Sequence, residues 1–143
     1  MSPKQIIFIA LFAMAFTTAC SKKSGGGTTP VVPPVQEAKI AFRTDPDPGS
    51  NVYTSLSSTF PFKVVLTSTM PTDGISIDIT AKNVANNEAL GSPINYKSKN
   101  SSNNFTIGPL VSGVTYSVTV VVSSQKVSTP LNTASKSFSV KLK

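Results

Sequence analysis

The side chains able to do chemistry are few. The chain has one thiol, Cys20, no histidine, and six carboxylates. Lack of imidazole removes the commonest general base and the commonest metal ligand. A single thiol rules out an intrachain disulfide, and with no histidine it also rules out Ser-His-Asp and Cys-His nucleophilic arrangements and Cys/His zinc sites. A carboxylate pair could still serve as acid and base in glycoside hydrolysis. The candidates are Glu37, Asp45, Asp47, Asp73, Asp78 and Glu88, and nothing in their spacing aims two of them at one cleft. No P-loop or dinucleotide fingerprint is present. The chain is therefore expected to be no enzyme and to carry no cofactor.

Two weaker binding chemistries remain. Asp45 and Asp47 alternate in the run Asp45-Pro46-Asp47-Pro48-Gly49 and could supply oxygen ligands to calcium. Proline fills the intervening positions and no bidentate glutamate follows, so the segment reads first as a turn. Tyrosine rings can stack on sugar faces. Tyr53 and Tyr96 are the aromatics expected in or near loops, whereas Phe42, Phe60, Phe62, Phe105, Tyr116 and Phe138 read as core. The Asn-x-Ser/Thr triplets at Asn100 and Asn104 match a glycosylation acceptor pattern, which by itself carries no weight.

The formal net charge is +7, from 13 basic and 6 acidic residues. Lys4, Lys22 and Lys23 lie near the N-terminus, and from Gln36 onward ten basic and six acidic residues leave +4. These cations are scattered and include a single arginine, Arg43. A nucleic-acid binder clusters positive charge and favours arginine for base readout, so no nucleic-acid partner is expected.

The first residues have the layout of a secretory leader. Lys4 supplies a charged start, Ile6 to Phe16 is an unbroken apolar run of 11 residues, and Thr17-Thr18-Ala19 is a small-residue stretch before Cys20. A spanning helix needs about 20 apolar residues, so this run is too short for a permanent anchor. The segment Thr17-Thr18-Ala19-Cys20 resembles the lipobox of bacterial lipoproteins. That resemblance implies cleavage before Cys20 and diacylglycerol, with palmitate-type chains, on its sulfur. Thr17 stands where the family usually has an aliphatic residue, a looseness shared with lipoproteins of the Bacteroidota. An ordinary secretory cut near Ala19 is the alternative. Two or more acyl chains, each burying CH₂ groups at about 0.8 kcal/mol, would make the anchoring stable. Ser21 after the cysteine resembles the sorting signal for the outer membrane. The lack of an acidic run there favours its periplasmic face over the cell surface.

Residues 21–35 read SKKSGGGTTPVVPPV, a linker that is flexible at Gly25 to Gly27 and stiffer toward Pro33 and Pro34. Its fifteen residues could reach roughly 50 Å when extended. The expected organisation is thus a leader over 1–19, a lipidated Cys20 with its tether over 20–35, and one domain over 36–143.

The domain reads as short β segments throughout. Ala38 to Phe42 looks like a first strand and Phe60 to Leu66 like a second. Asp73-Gly74 signals a hairpin turn leading into Ile75, Ile77 and Ile79. Residues 82–92 read as a polar connection, Ile94 to Tyr96 as a short strand, Lys97 to Asn104 as a polar loop, and Phe105 to Ile107 as another strand. Val114 to Ser123 alternates most cleanly, with β-branched residues in abundance. Residues 124–135 read as a loop, and Phe138, Val140 and Leu142 mark a closing edge strand. The expectation is an all-β, antiparallel β-sandwich of about seven strands, because each one-sided sheet needs another to cover it. Leu110 to Val120 resembles the L-x-x-G-x-x-Y-x-V-x-V signature of fibronectin type III domains, within a broader immunoglobulin-like class. The resemblance implies a tyrosine corner at Tyr116, with Leu110 packed beneath it and Gly113 in the turn. No tryptophan is present, so Val64 or Leu66 would take the place of that family's core Trp.

The expected role is a lipid-anchored, non-enzymatic module that presents a β-sandwich to an envelope protein in a structural or adhesive role. A glycan-binding accessory protein using Tyr53 or Tyr96 is the alternative.

Overall fold

In a computed structural model, residues 36–47, 49, 51–127 and 131–143 are described. Cys20 and the tether lie outside them. The domain is all-β: β1 (Phe42–Asp45), β2 (Val52–Ser55), β3 (Phe60–Leu66), β4 (Ile75–Asn83), β5 (Ile94–Ser98), β6 (Ser102–Ile107), β7 (Thr115–Ser124) and β8 (Thr133–Leu142). They form a three-stranded sheet, β1-β3-β6, and a five-stranded sheet, β2-β8-β7-β4-β5. Both sheets contribute to one core, so the architecture is a β-sandwich.

Strict two-residue alternation builds the centre. In β7, Tyr116, Val118, Val120 and Val122 are buried while Thr115, Ser117, Thr119, Val121 and Ser123 face outward, half-buried. Ile75, Ile77 and Ile79 of β4 lie opposite Ser124, Val122 and Val120, on the same inner face. Across the core, β3 contributes Phe60, Phe62, Val64 and Leu66, all buried. Phe138 of β8 meets Phe62 edge-on at 5.5 Å and Phe60 at 6.0 Å, tying the two sheets together. Each fully buried aliphatic or aromatic side chain contributes about 1.5–3 kcal/mol.

Several local expectations are corrected. Eight strands are present, and the additional one, β2, pairs with β8 in parallel, Val52 opposite Ser139 and Ser55 opposite Leu142. The sandwich is therefore not wholly antiparallel, and β8 is an interior strand between β2 and β7 rather than an edge. The first strand starts later than expected. Ahead of it, the Ile40 amide donates to Asn132 Oδ1 at 2.9 Å, and the Ala41 carbonyl accepts from Thr67 and Ser68. These bonds replace a strand ladder over residues 38–41. Asp73-Gly74 does not close a hairpin: β3 and β4 belong to different sheets, and the turn carries the chain from one to the other. The polar loop expected over 97–104 is mostly strand, since β5 runs to Ser98 and β6 starts at Ser102. The flanks of the expected loop over 124–135 are also strand, with β7 reaching Ser124 and β8 starting at Thr133.

Gly74 has φ +90°, and a Cβ there would lie 2.6 Å from the Ser98 carbonyl oxygen. Gly91 also has a positive φ, +69°, but open space around it. Gly74→Ala is expected to cost clearly more stability than Gly91→Ala, for which only the backbone strain of about 1 kcal/mol applies. Urea unfolding of both variants measures the difference. In the same assay Ile77→Ala, at a fully buried site, should cost about 2–5 kcal/mol, and Leu56→Ala, 83% exposed, should change stability by less than about 0.5 kcal/mol.

Candidate functional site

Both ends of the sandwich expose apolar side chains. Residues 36–40, the linkers 67–74 and 99–101, and residues 125–127 and 131–132 lie at one end, where Val127 and Leu131 are exposed. Asn132 fastens the incoming chain there: its Oδ1 accepts from Ile40 N and its Nδ2 donates to the Ala38 carbonyl, both at 2.9 Å. Segments 56–59, 84–93 and 108–114 gather at the other end. Leu110 N donates to the Ser58 carbonyl, Val84 N to the Thr115 carbonyl and Lys143 N to the Ser55 carbonyl. Leu56, Val84 and Val111 are exposed at this second end, together with Lys82, Lys141 and Lys143.

The candidate residues fall in separate places. Asp45 closes β1 opposite Lys63. Asp47 lies in the following turn, where its Oδ1 accepts from Gly49 N at 3.1 Å and its Oδ2 lies 3.5 Å from Lys136 Nζ. The Gly49 amide, and then the Lys136 ammonium, hold the Asp47 carboxyl below the usual carboxylate range. These contacts are those of a turn, and among the described residues no three Asp, Glu or Cys side chains gather as a metal site would need.

Tyr53, expected in or near a loop, lies in a four-residue strand. It sits in β2, its ring 4.8 Å from Phe60. Tyr96 sits in β5, edge-on to Phe105 at 5.7 Å. β2 and β5 are the opposite edges of the five-stranded sheet. Four inter-strand steps of about 4.8 Å put the two strands roughly 19 Å apart, so the tyrosines form no common platform. Each covers a phenylalanine at one flank of the core.

Tyr116 and Leu110 are buried, 5% and 4% exposed, and Gly113 has φ +78°. Among the described residues the Tyr116 hydroxyl has no hydrogen-bond partner, and it is not a buried orphan either. The ring fills the core while the hydroxyl makes no bond back to the described chain. Val64 and Leu66 are both buried in β3.

Sequence reasoning missed a depression of about 360 Å³ on the outer face of the five-stranded sheet, near the end opposite residues 36–40. Thr80, Lys82, Asn83 and Asn87 line it from β4 and the segment after it, and Ser117 and Thr119 line it from β7. The register makes the concavity, setting Thr80 opposite Thr119 and Lys82 opposite Ser117. Val84, 60% exposed, is at its lip. A polar outward row in each strand was visible in the sequence, but their adjacency was not.

No family model matches the chain, and comparison with curated proteins and with solved structures gives no match.

Tyr116→Phe is expected to change the unfolding free energy by less than about 0.5 kcal/mol; a larger loss in urea unfolding would reveal a bond to the hydroxyl. The Asp47 interaction has a definite sign with pH. Because the folded-state value is depressed, its stabilisation is present above the ordinary carboxylate range and is lost as the pH falls through the lowered value. Melting temperature measured from about pH 6 to pH 2 should fall slightly less steeply for Asp47→Asn than for the parent.

Proposed function

We propose that this chain is a lipid-anchored, non-enzymatic presentation module of a bacterial envelope, with Cys20 as the acylated residue and the β-sandwich as the displayed body. The observation that carries the reading is the lone thiol, placed directly after an 11-residue apolar run and Thr17-Thr18-Ala19. Lipid on that sulfur explains why a chain with no other cysteine keeps one there. The proposed attachment is through the acyl chains on Cys20; among the described residues no helix is long and apolar enough to cross a membrane.

The arrangement of the domain supports the display role. Residues 36–40 join the sandwich at the end pinned by Asn132. Leu56, Val84 and Val111 are exposed at the opposite end, and Val127 and Leu131 at the same end as Asn132, so both ends carry apolar contact surface. The outer membrane, on its periplasmic face, is the proposed site of residence.

Two measurements test this. Intact-mass analysis of the chain purified from bacterial membranes should show loss of residues 1–19 and the added mass of two or three acyl chains. Cys20→Ala should abolish acylation and move the protein from the detergent phase to the aqueous phase in a phase-partition assay. An unmodified thiol on protein that washes freely from membranes would reject the anchor.

A further inference from the structure

The depression beside β4 and β7 combines three properties that the anchoring role does not use. First, its hydrogen-bonding side chains are largely unengaged. Among the described residues Lys82 forms no ion pair, and no hydrogen bond is formed by the side chains of Thr80, Asn87 or Ser117. Asn83, opposite buried Tyr116 in the register, uses its Oδ1 to accept from Ala85 N at 2.9 Å. Thr119 alone is tied to a neighbouring side chain, Ser137, at 3.0 Å.

Second, the wall is braced by its own backbone hydrogen bonds. The segment after β4 is folded onto its own backbone: Asn87 N donates to the Asn83 carbonyl, Asn83 N to the Glu88 carbonyl and Leu90 N to the Ala81 carbonyl. Asn87 itself is held at φ +60°, a conformation that asparagine tolerates better than most residues. A wall already ordered before a ligand arrives loses little further entropy on binding.

Third, the polar surface continues beyond the depression. Across β4, β7 and β8 the register sets Thr80, Thr119 and Ser137 in one row and Lys82, Ser117 and Ser139 in the next. Hydroxyls both donate and accept, so these rows can follow a ligand that carries many hydroxyls. Exposed Val84 adds one apolar contact at the lip.

We propose that this surface binds an acidic polysaccharide, with Lys82 opposite a uronic-acid carboxylate and the threonine, serine and asparagine side chains opposite ring hydroxyls. One cation among several neutral hydrogen-bonding groups matches a ligand that carries one carboxylate per several hydroxyls. A nucleic-acid strand would call for several cations and a stacking ring, and the depression has one cation and no aromatic residue. A phosphate site would draw on arginine, and no arginine lines the depression. The binding surface shares no residue with the anchor at Cys20 and lies toward the end of the domain away from residues 36–40.

The test is calorimetric titration of the full chain, purified in detergent and free of calcium, with oligogalacturonate, with a neutral glucose oligomer of equal length, and with inorganic phosphate. Oligogalacturonate should bind with a dissociation constant below about 1 mM. Lys82→Gln should weaken it about tenfold or more. Asn87→Gly, which keeps the backbone conformation and removes the amide, should weaken it several-fold with an unchanged melting temperature. The neutral oligomer should bind at least about tenfold more weakly than oligogalacturonate and be insensitive to Lys82→Gln. Absence of oligogalacturonate binding at about 10 mM overturns the proposal, as does binding unaffected by either substitution. Equal binding of the neutral oligomer removes the uronic-acid assignment, and full displacement by phosphate marks a simple anion site instead. Repeating the titration with Cys20→Ala separates this result from the anchor, because loss of acylation should leave glycan binding unchanged.

Discussion

Strand β7 sets the terms for the rest of the domain. It lies between β4 and β8, so both of its hydrogen-bonding edges are occupied. Its inner row of Tyr116, Val118, Val120 and Val122 is buried almost completely. A shift of one residue in its register would turn that row to solvent and bring Ser117 and Thr119 into the core. Burial on one face thus fixes the register with both neighbours. The same constraint fixes the outer face, since the positions of Thr80 beside Thr119 and Lys82 beside Ser117 follow from apolar packing on the other side.

The ends of the sandwich are held by a different kind of interaction. Buried polar groups must find partners, or folding loses their hydration without return. At the β5–β6 connection, Ser98 Oγ donates to Asn103 Oδ1 at 2.7 Å and Asn103 Nδ2 donates to the Asn100 carbonyl at 2.9 Å. This fastens a crossing between the two sheets where few apolar side chains reach. Asn132 does comparable work for residues 38–40, and Gln125 Nε2 reaches the Ile75 carbonyl at 2.9 Å. Amide side chains therefore close the end at which the chain joins the domain.

Much of this architecture was legible in the residue order, and the reasons for the gaps are physical. β3, β4 and β7 declare themselves because burial on one face selects for β-branched and aromatic residues at every second position. β2 does not, because Val52, Tyr53 and Thr54 are exposed and only Ser55 is buried, so the segment has no inner apolar row. Missing β2 made β8 look like an edge, since edge or interior position depends on a partner far away in the sequence. Asp73-Gly74 marked a turn correctly, but a turn signal cannot say whether the next strand pairs with the last or moves to the opposite sheet. The lining of the depression was hidden for the same reason. Ser117 and Lys82 are ordinary outward residues until the pairing of β4 with β7 places them side by side.

The parallel pairing of β2 with β8 has a bearing on how the chain is made. Val52 meets Ser139, so β2 has no sheet to join until the ribosome has passed nearly the whole domain. Contacts so distant in sequence form slowly, and a segment waiting for its partner stays an open thread meanwhile. In a chain exported as proposed above, such a delay in closure would be an asset: the chain could be threaded across a channel before its sheet becomes complete enough to resist.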